Sequence, residues 1–184
     1  MTTVKDVLEK HSNIWKTESA FMSYIRGGIR ASLWKNHPVK ITLINSKRMQ
    51  IPNPNPKGKK PTVWGGCCEI CNNLFISSEM QVDHIRESGS SLKTMDDIQQ
   101  FIENMVVVTV NDLRWVCKGC HSIVSMAQKN GVSFEEAKAD KEAKRLVDNK
   151  LDINFLQEHN VEQASTQAKR RKQIYEILVR GVCD

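Results

Sequence analysis

Six cysteines stand in the 184-residue chain, and four of them form two Cys-x-x-Cys pairs, Cys68/Cys71 in "CCEIC" and Cys117/Cys120 in "CKGC". Each pair can grip one side of a tetrahedral ion through two thiolates, and two pairs make a closed four-sulfur site. Soft thiolates in that geometry suit structural Zn2+ better than Mg2+ or Ca2+. The 45 residues between the pairs exceed ordinary finger spacing, so something sizeable is inserted there. Cys67 offers an alternative first ligand with one more residue before Cys71, though the two-residue spacing of Cys68 matches the second pair better, while Cys183, near the C-terminus, reads as a free thiol. The insertion contains "MQVDHIRES" (80–88), with Asp83 and His84 side by side, and His121 follows the second pair directly. Four thiolates leave a zinc ion no vacancy. Asp83 and His121 then suit a divalent cation as a hard oxygen with an imidazole. His84 is left over, with an ordinary pKa close enough to neutrality for a general base. The plainer alternative is a zinc knuckle with incidental polar residues.

Elements must place these groups. Met80 and Val82 alternate as strand positions, which would send Asp83 and His84 to opposite faces. Before them, "ESAFMSYIRGGIRASLWK" puts Phe21, Tyr24, Ile25, Ile29 and Leu33 at helical spacing, with Arg26 and Arg30 on the remaining surface. "VKITLIN" reads as a short strand. "IPNPNPKGKKP" (51–61) reads as a linker or flexible arm, whose Lys57, Lys59 and Lys60 suit either phosphate contacts or plain solvation. "SSLKTMDDIQQFIENM" predicts a helix capped by Thr94. "SFEEAKADKEAKRLV" opens on a Ser133–Glu136 capping box, and "STQAKRRKQIYEILVRG" predicts a final helix with Lys169, Arg170, Arg171 and Lys172 in one basic turn. Four segments follow: 1–50 helical and basic, 51–62 linker, 63–131 carrying the chemistry, and 132–184 a helical tail.

Charge is uneven along these segments. Residues 1–63 hold twelve Lys/Arg against three Asp/Glu, residues 64–131 hold five against eight, and residues 132–184 hold ten of each. A basic first third beside an acidic centre suits a protein that holds a polyanion with one part and metal with another; a generic basic surface fits equally well. No apolar run is long enough to span a membrane and "MTTVKDVLEKHSNIWK" lacks a secretory apolar stretch, so a cytoplasmic protein without disulfides is expected.

The run "CEIC…VDHIRESGS…NDLRWVCKGCH" resembles the zinc-bearing HNH endonucleases, especially the small bacteriophage-encoded versions. The resemblance extends to "FMSYIRGGIRASLWKNHPVKITLINSKR" ahead of the first pair and to "SFEEAKADKEAK…ASTQAKRRKQ" behind the second. It implies an α+β fold: a ββα-metal core stapled by the four-cysteine zinc site, with helical extensions at both ends. It implies His84 as general base and Asp83 and His121 as ligands of a catalytic Mg2+ or Mn2+. The middle HNH position falls on Asp112, five residues before Cys117, with Asn111 one residue earlier. The chain departs from the pattern again after His121, where Val124 and Ser125 stand in place of the Lys and Thr common in related proteins.

The function so implied is metal-dependent hydrolysis of phosphodiester bonds in double-stranded DNA, by nicking or double-strand cleavage, inside a bacterial host. Arg26, Arg30, Lys57, Lys59, Lys60 and the Lys169–Lys172 turn would hold the backbone. The partners so implied are a second copy of the chain or a phage terminase. The main alternative is a non-catalytic zinc-ribbon protein that binds nucleic acid or assists phage DNA packaging. A redox role for the CxxC pairs is weaker, because neither pair precedes the helix of a βαβ unit.

Overall fold

The structure, a computed structural model, describes residues 4–55, 57–86, 92 and 94–181. The chain divides into two compact units, Met1–Lys118 and Gly119–Asp184. Cys183 lies outside the described residues.

The first unit opens with α1 (Val4–Lys10) and α2 (Glu18–Ile29), the latter capped by the Thr17 hydroxyl, which accepts from the Ala20 N–H. A π turn (Arg30–Trp34) extends α2 without a break. Next comes α3 (Pro38–Lys47), and here the expected strand is overturned. The β-branched run "VKITLIN" favours extended backbone, yet Pro38 sits in the first turn, where its fixed φ and missing N–H suit a helix start. Leu43 is then fully buried, so tertiary packing outweighs local propensity.

The proline-rich segment also differs from the expected linker. β1 (Met49–Pro52) pairs antiparallel with β2 (Thr62–Cys67), Met49 opposite Gly65 and Pro52 opposite Thr62, so the segment between them is the tip of a hairpin. Asn53 organises that tip. Its side-chain amide donates to the Lys60 carbonyl (2.8 Å), its Oδ1 accepts from the Asn55 N–H (3.0 Å), and its backbone N–H bonds the Pro61 carbonyl (2.9 Å). β3 (Leu74–Ile76) adds to the other edge of β2, completing a three-stranded antiparallel sheet.

β4 (Met80–His84) and β5 (Leu113–Cys117) form a separate antiparallel pair, in register from Met80 opposite Cys117 to His84 opposite Leu113. Between them runs α4 (Met95–Val106), with the expected Thr94 cap closed into a box by Asp97. Phe101 and Met105 of α4 pack with Met22 and Leu92, and Phe21, Ile29, Trp34 and Ile98 border that core. Trp115 of β5 is almost wholly buried, and β2 passes so close that a Cβ on Gly66 would stand 2.3 Å from its ring.

α5 (Lys118–Asn130) follows β5 without a loop. In the second unit α6 (Phe134–Asp148) carries the expected Ser133–Glu136 capping box, and α7 (Asp152–Glu158) adds a helix that periodicity had not disclosed. α8 (Gln167–Arg180) starts at Thr166. Ala143, Leu146, Leu156 and Ile174 form this unit's core. No helix among the described residues is long and apolar enough to cross a membrane.

Candidate metal centre and the His84 site

The sulfurs of Cys68, Cys71, Cys117 and Cys120 all lie within 4.8 Å of one another. A tetrahedron with metal–sulfur bonds of about 2.3 Å has edges of roughly 3.8 Å, so small side-chain shifts close this cluster on one ion. Cys67 stands outside it, its thiol turned toward the Cys68 carbonyl, and the choice between neighbours is settled for Cys68. The first knuckle is tightly wound. The Cys68 N–H bonds the Asn73 carbonyl, the Asn72 N–H returns to the Cys68 carbonyl, and Asn72 takes a left-handed φ of 57°. Glu69 clasps the knuckle to β5: its N–H donates to the Trp115 carbonyl (3.1 Å), and its carboxylate accepts from the Trp115 N–H and the Lys47 ammonium. Burial alone would raise the Cys68 thiol. N–H donors from Cys71, Cys117 and Ile70, with the Cys71 side chain, outweigh it and bring the thiol down to about 7. A sulfur so stabilised as thiolate is prepared for metal. The donor set defines a metal-binding protein with a four-cysteine cluster.

Asp83 and His84 end β4, and strand alternation sends them to opposite faces. Asp83 is buried opposite Arg114 of β5, whose Nε and a terminal nitrogen both reach its Oδ2, at 2.9 and 2.8 Å. His84 is half-buried. Its Nε2 lies 3.2 Å from the Met105 carbonyl, and its ring lies against Trp34, 4.3 Å between centroids and tilted by 36°. A carbonyl only accepts, so Nε2 carries the hydrogen and Nδ1 the lone pair. Burial pushes the His84 pKa below its ordinary value, the Met105 carbonyl and Asp83 work against that, and Arg30 and His37 add to it. The ring is therefore neutral near pH 7, with a basic nitrogen in a fixed orientation.

Asp112 ends the short 3-10 turn before β5. Its carboxylate accepts from the Thr109 hydroxyl (2.7 Å) and N–H (2.8 Å), which hold it below the usual carboxylate range. Its carbonyl accepts from the Ile85 N–H (2.9 Å), pinning the chain just beyond His84. Asn111 in the same turn is exposed. His121 lies in α5, in the second unit.

Of the basic residues, Lys57, Lys59 and Lys60 are exposed at the hairpin tip, and Arg30 lays its guanidinium over Phe101 at 5.6 Å. The Lys169–Lys172 turn is divided. Arg170 is taken up by Asp152 (2.6 Å) and the Ala164 carbonyl (3.1 Å), and Arg171 by Asp140 (2.6 Å), while Lys169 and Lys172 remain on the surface. Sequence reasoning missed Trp34, Met105 and Arg114, which orient the Asp83–His84 pair. Arg114 alone left a signal, a cation placed to face an acid across two strands.

No protein-family model, no curated protein and no solved structure matches this chain. The likeness to HNH endonucleases therefore rests on the quoted motifs alone.

Proposed function

We propose that the protein is a metal-dependent DNA endonuclease of the HNH type, with His84 as its general base. The observation that carries this reading is the oriented imidazole. His84 is kept neutral by burial, its Nε2–H is tied to Met105, and Nδ1 is left as the proton acceptor. Its chain neighbour is a buried carboxylate, and β5, paired with their strand, ends at Cys117, after which α5 carries Cys120 and His121.

In this scheme His84 Nδ1 takes a proton from water, the water oxygen bonds to phosphorus, and the bond to the 3′ oxygen breaks. The departing 3′ oxygen takes a proton from solvent water, and the products are a 5′-phosphate and a 3′-hydroxyl. Asp83 and His121 are the residues that would hold Mg2+ or Mn2+, which supplies charge stabilisation on the phosphate and the departing oxygen. Asp112 acts as a brace, through its carbonyl on Ile85. Arg26, Lys57, Lys59, Lys60, Lys169 and Lys172 supply salt-dependent backbone contacts to double-stranded DNA. A contact from Arg170 would first have to break its pair with Asp152.

One observation favours the non-catalytic zinc-ribbon reading: Asp83 already has a partner in Arg114, so its burial is explained without a second ion. A supercoiled-plasmid assay separates the two. With Mg2+ or Mn2+ the zinc-loaded protein is expected to convert supercoils to open circles, and His84→Ala to lose that activity by at least a hundredfold. Plasmid that is bound but stays supercoiled in either metal would leave the zinc-ribbon reading standing.

A further inference from the structure

Positive groups gather around His84, and acids are missing from the stretch of chain that supplies them. Between Glu18 and Glu69 the sequence has nine Lys/Arg and no Asp/Glu. The corner where the π turn meets α3 brings part of this stretch to the site. Trp34 lies against His84 at 4.3 Å between ring centroids, His37 lies 5.6 Å from Trp34 by the same measure, and the Lys40 ammonium sits 5.4 Å from the Trp34 ring centroid. Arg30 and His37 both act electrostatically on His84. Among the described residues no carboxylate forms an ion pair with Arg30, His37 or Lys40. Two acids bear on His84: Asp83, whose Oδ2 Arg114 holds, and Asp112, whose carboxylate is held by the Thr109 hydroxyl and N–H.

Two further observations point to a missing anion. His37 is only 9% exposed, and its Nδ1 is buried with no hydrogen-bond partner. Native chains seldom leave such a group unmatched, because it loses water and gains nothing. His37 is also the N-cap residue of the ten-residue α3 and makes no side-chain cap, so its first N–H groups lack a side-chain acceptor. Partly desolvated cations and an uncapped helix start favour a negatively charged acceptor, and the unmatched His37 Nδ1 donates to it in the tautomer that places the ring hydrogen there.

We propose that Arg30, His37 and Lys40 form a phosphate subsite beside His84 that holds a phosphodiester of the nucleic-acid backbone. Arg30 and Lys40 supply the charge. His37 Nδ1 supplies a hydrogen bond, directly or through one ordered water. Trp34 is the wall against which both imidazoles are set. The identity of the ligand rests on the nuclease reading, whereas the existence of an anion site does not. The α2–α3 corner thereby becomes part of the reaction centre, and the remaining basic surface serves general DNA affinity.

The test uses full-length, zinc-loaded protein and two probes, a short duplex oligonucleotide and inorganic phosphate. Imidazole 15N signals of His37 are followed by NMR in His84→Ala, and plasmid-nicking kinetics are measured for wild type and for Arg30→Gln/Lys40→Gln, with circular dichroism to verify folding. Saturating duplex is expected to shift the His37 signal in His84→Ala. The double variant is expected to raise KM roughly tenfold and to abolish the same shift when combined with His84→Ala. A His37 signal unmoved by duplex, or moved only by inorganic phosphate, overturns the subsite. Wild-type KM in the double variant also overturns it, and leaves the nuclease reading intact. A plasmid never nicked while duplex still shifts His37 sinks the nuclease and keeps the anion site.

Discussion

Cys67 and Cys68 are neighbours of identical chemistry, yet only Cys68 joins the sulfur cluster. The cause is local. Cys67 closes β2 opposite Leu74, and Cys68 begins the turn, where the Cys117 N–H reaches its sulfur at 3.3 Å. Cys68→Ser is therefore expected to lose the bound zinc, whereas Cys67→Ser should retain one equivalent, as metal content after gel filtration will report. Zinc retained by Cys68→Ser and lost by Cys67→Ser would overturn the assignment. Retention should weaken as the pH falls through about 7, where protons begin to compete for the Cys68 sulfur. The same scale marks what spacing made legible. Cys-x-x-Cys was readable because it is a short-range geometric demand, and the two-residue spacing shared with Cys117/Cys120 already favoured Cys68 over Cys67, as the cluster bears out. The partners of Asp83 and His84 were not readable, because Arg114, Met105 and Trp34 come from distant parts of the chain and meet them only in the fold.

Elements with a chemical start signal were equally legible. Thr94, Ser133 and Thr166 each accept a backbone N–H three residues on, so α4, α6 and α8 begin where their caps demand. α3 and the β1–β2 hairpin were misread because the deciding interactions are a buried Leu43 and a strand partner ten or more residues away. The basic turn of α8 shows how composition misleads in the other direction. Arg170 bonds Asp152 of α7 with both side chains largely sequestered, at 15% and 5% exposure, so its charge serves the packing of the second unit. Arg170→Ala would strand a buried carboxylate and is expected to cost about 3–5 kcal/mol in denaturant unfolding. Lys169→Ala, on the exposed side of the same turn, should stay within about 0.5 kcal/mol. Equal small effects would return Arg170 to the pool of surface cations available for DNA.

At the scale of the molecule, the two units are held by different means. The first has two small sheets, and it supplies three of the four clustered sulfurs, Cys68 and Cys71 from the turn after β2 and Cys117 from the end of β5. Sheets of two and three short strands have little core of their own, so a bound ion contributes folding free energy there directly. The second unit closes its own apolar cluster of Ala143, Leu146, Leu156 and Ile174, fastened by the Arg170–Asp152 pair, and α6, α7 and α8 need no metal for that packing. Stripping zinc with a strong chelator should thus act unevenly. Amide hydrogen exchange is expected to accelerate at least tenfold across β2, β4 and β5, while the interior of α6 and α8 keeps its protection. Protection unchanged at β4 and β5 in demonstrably metal-free protein would mean that the cysteine cluster is not what stabilises the strand carrying Asp83 and His84. Loss of protection in α6 and α8 at the same chelator concentration would mean instead that the two units unfold as one, and that the apolar cluster around Leu156 is insufficient by itself.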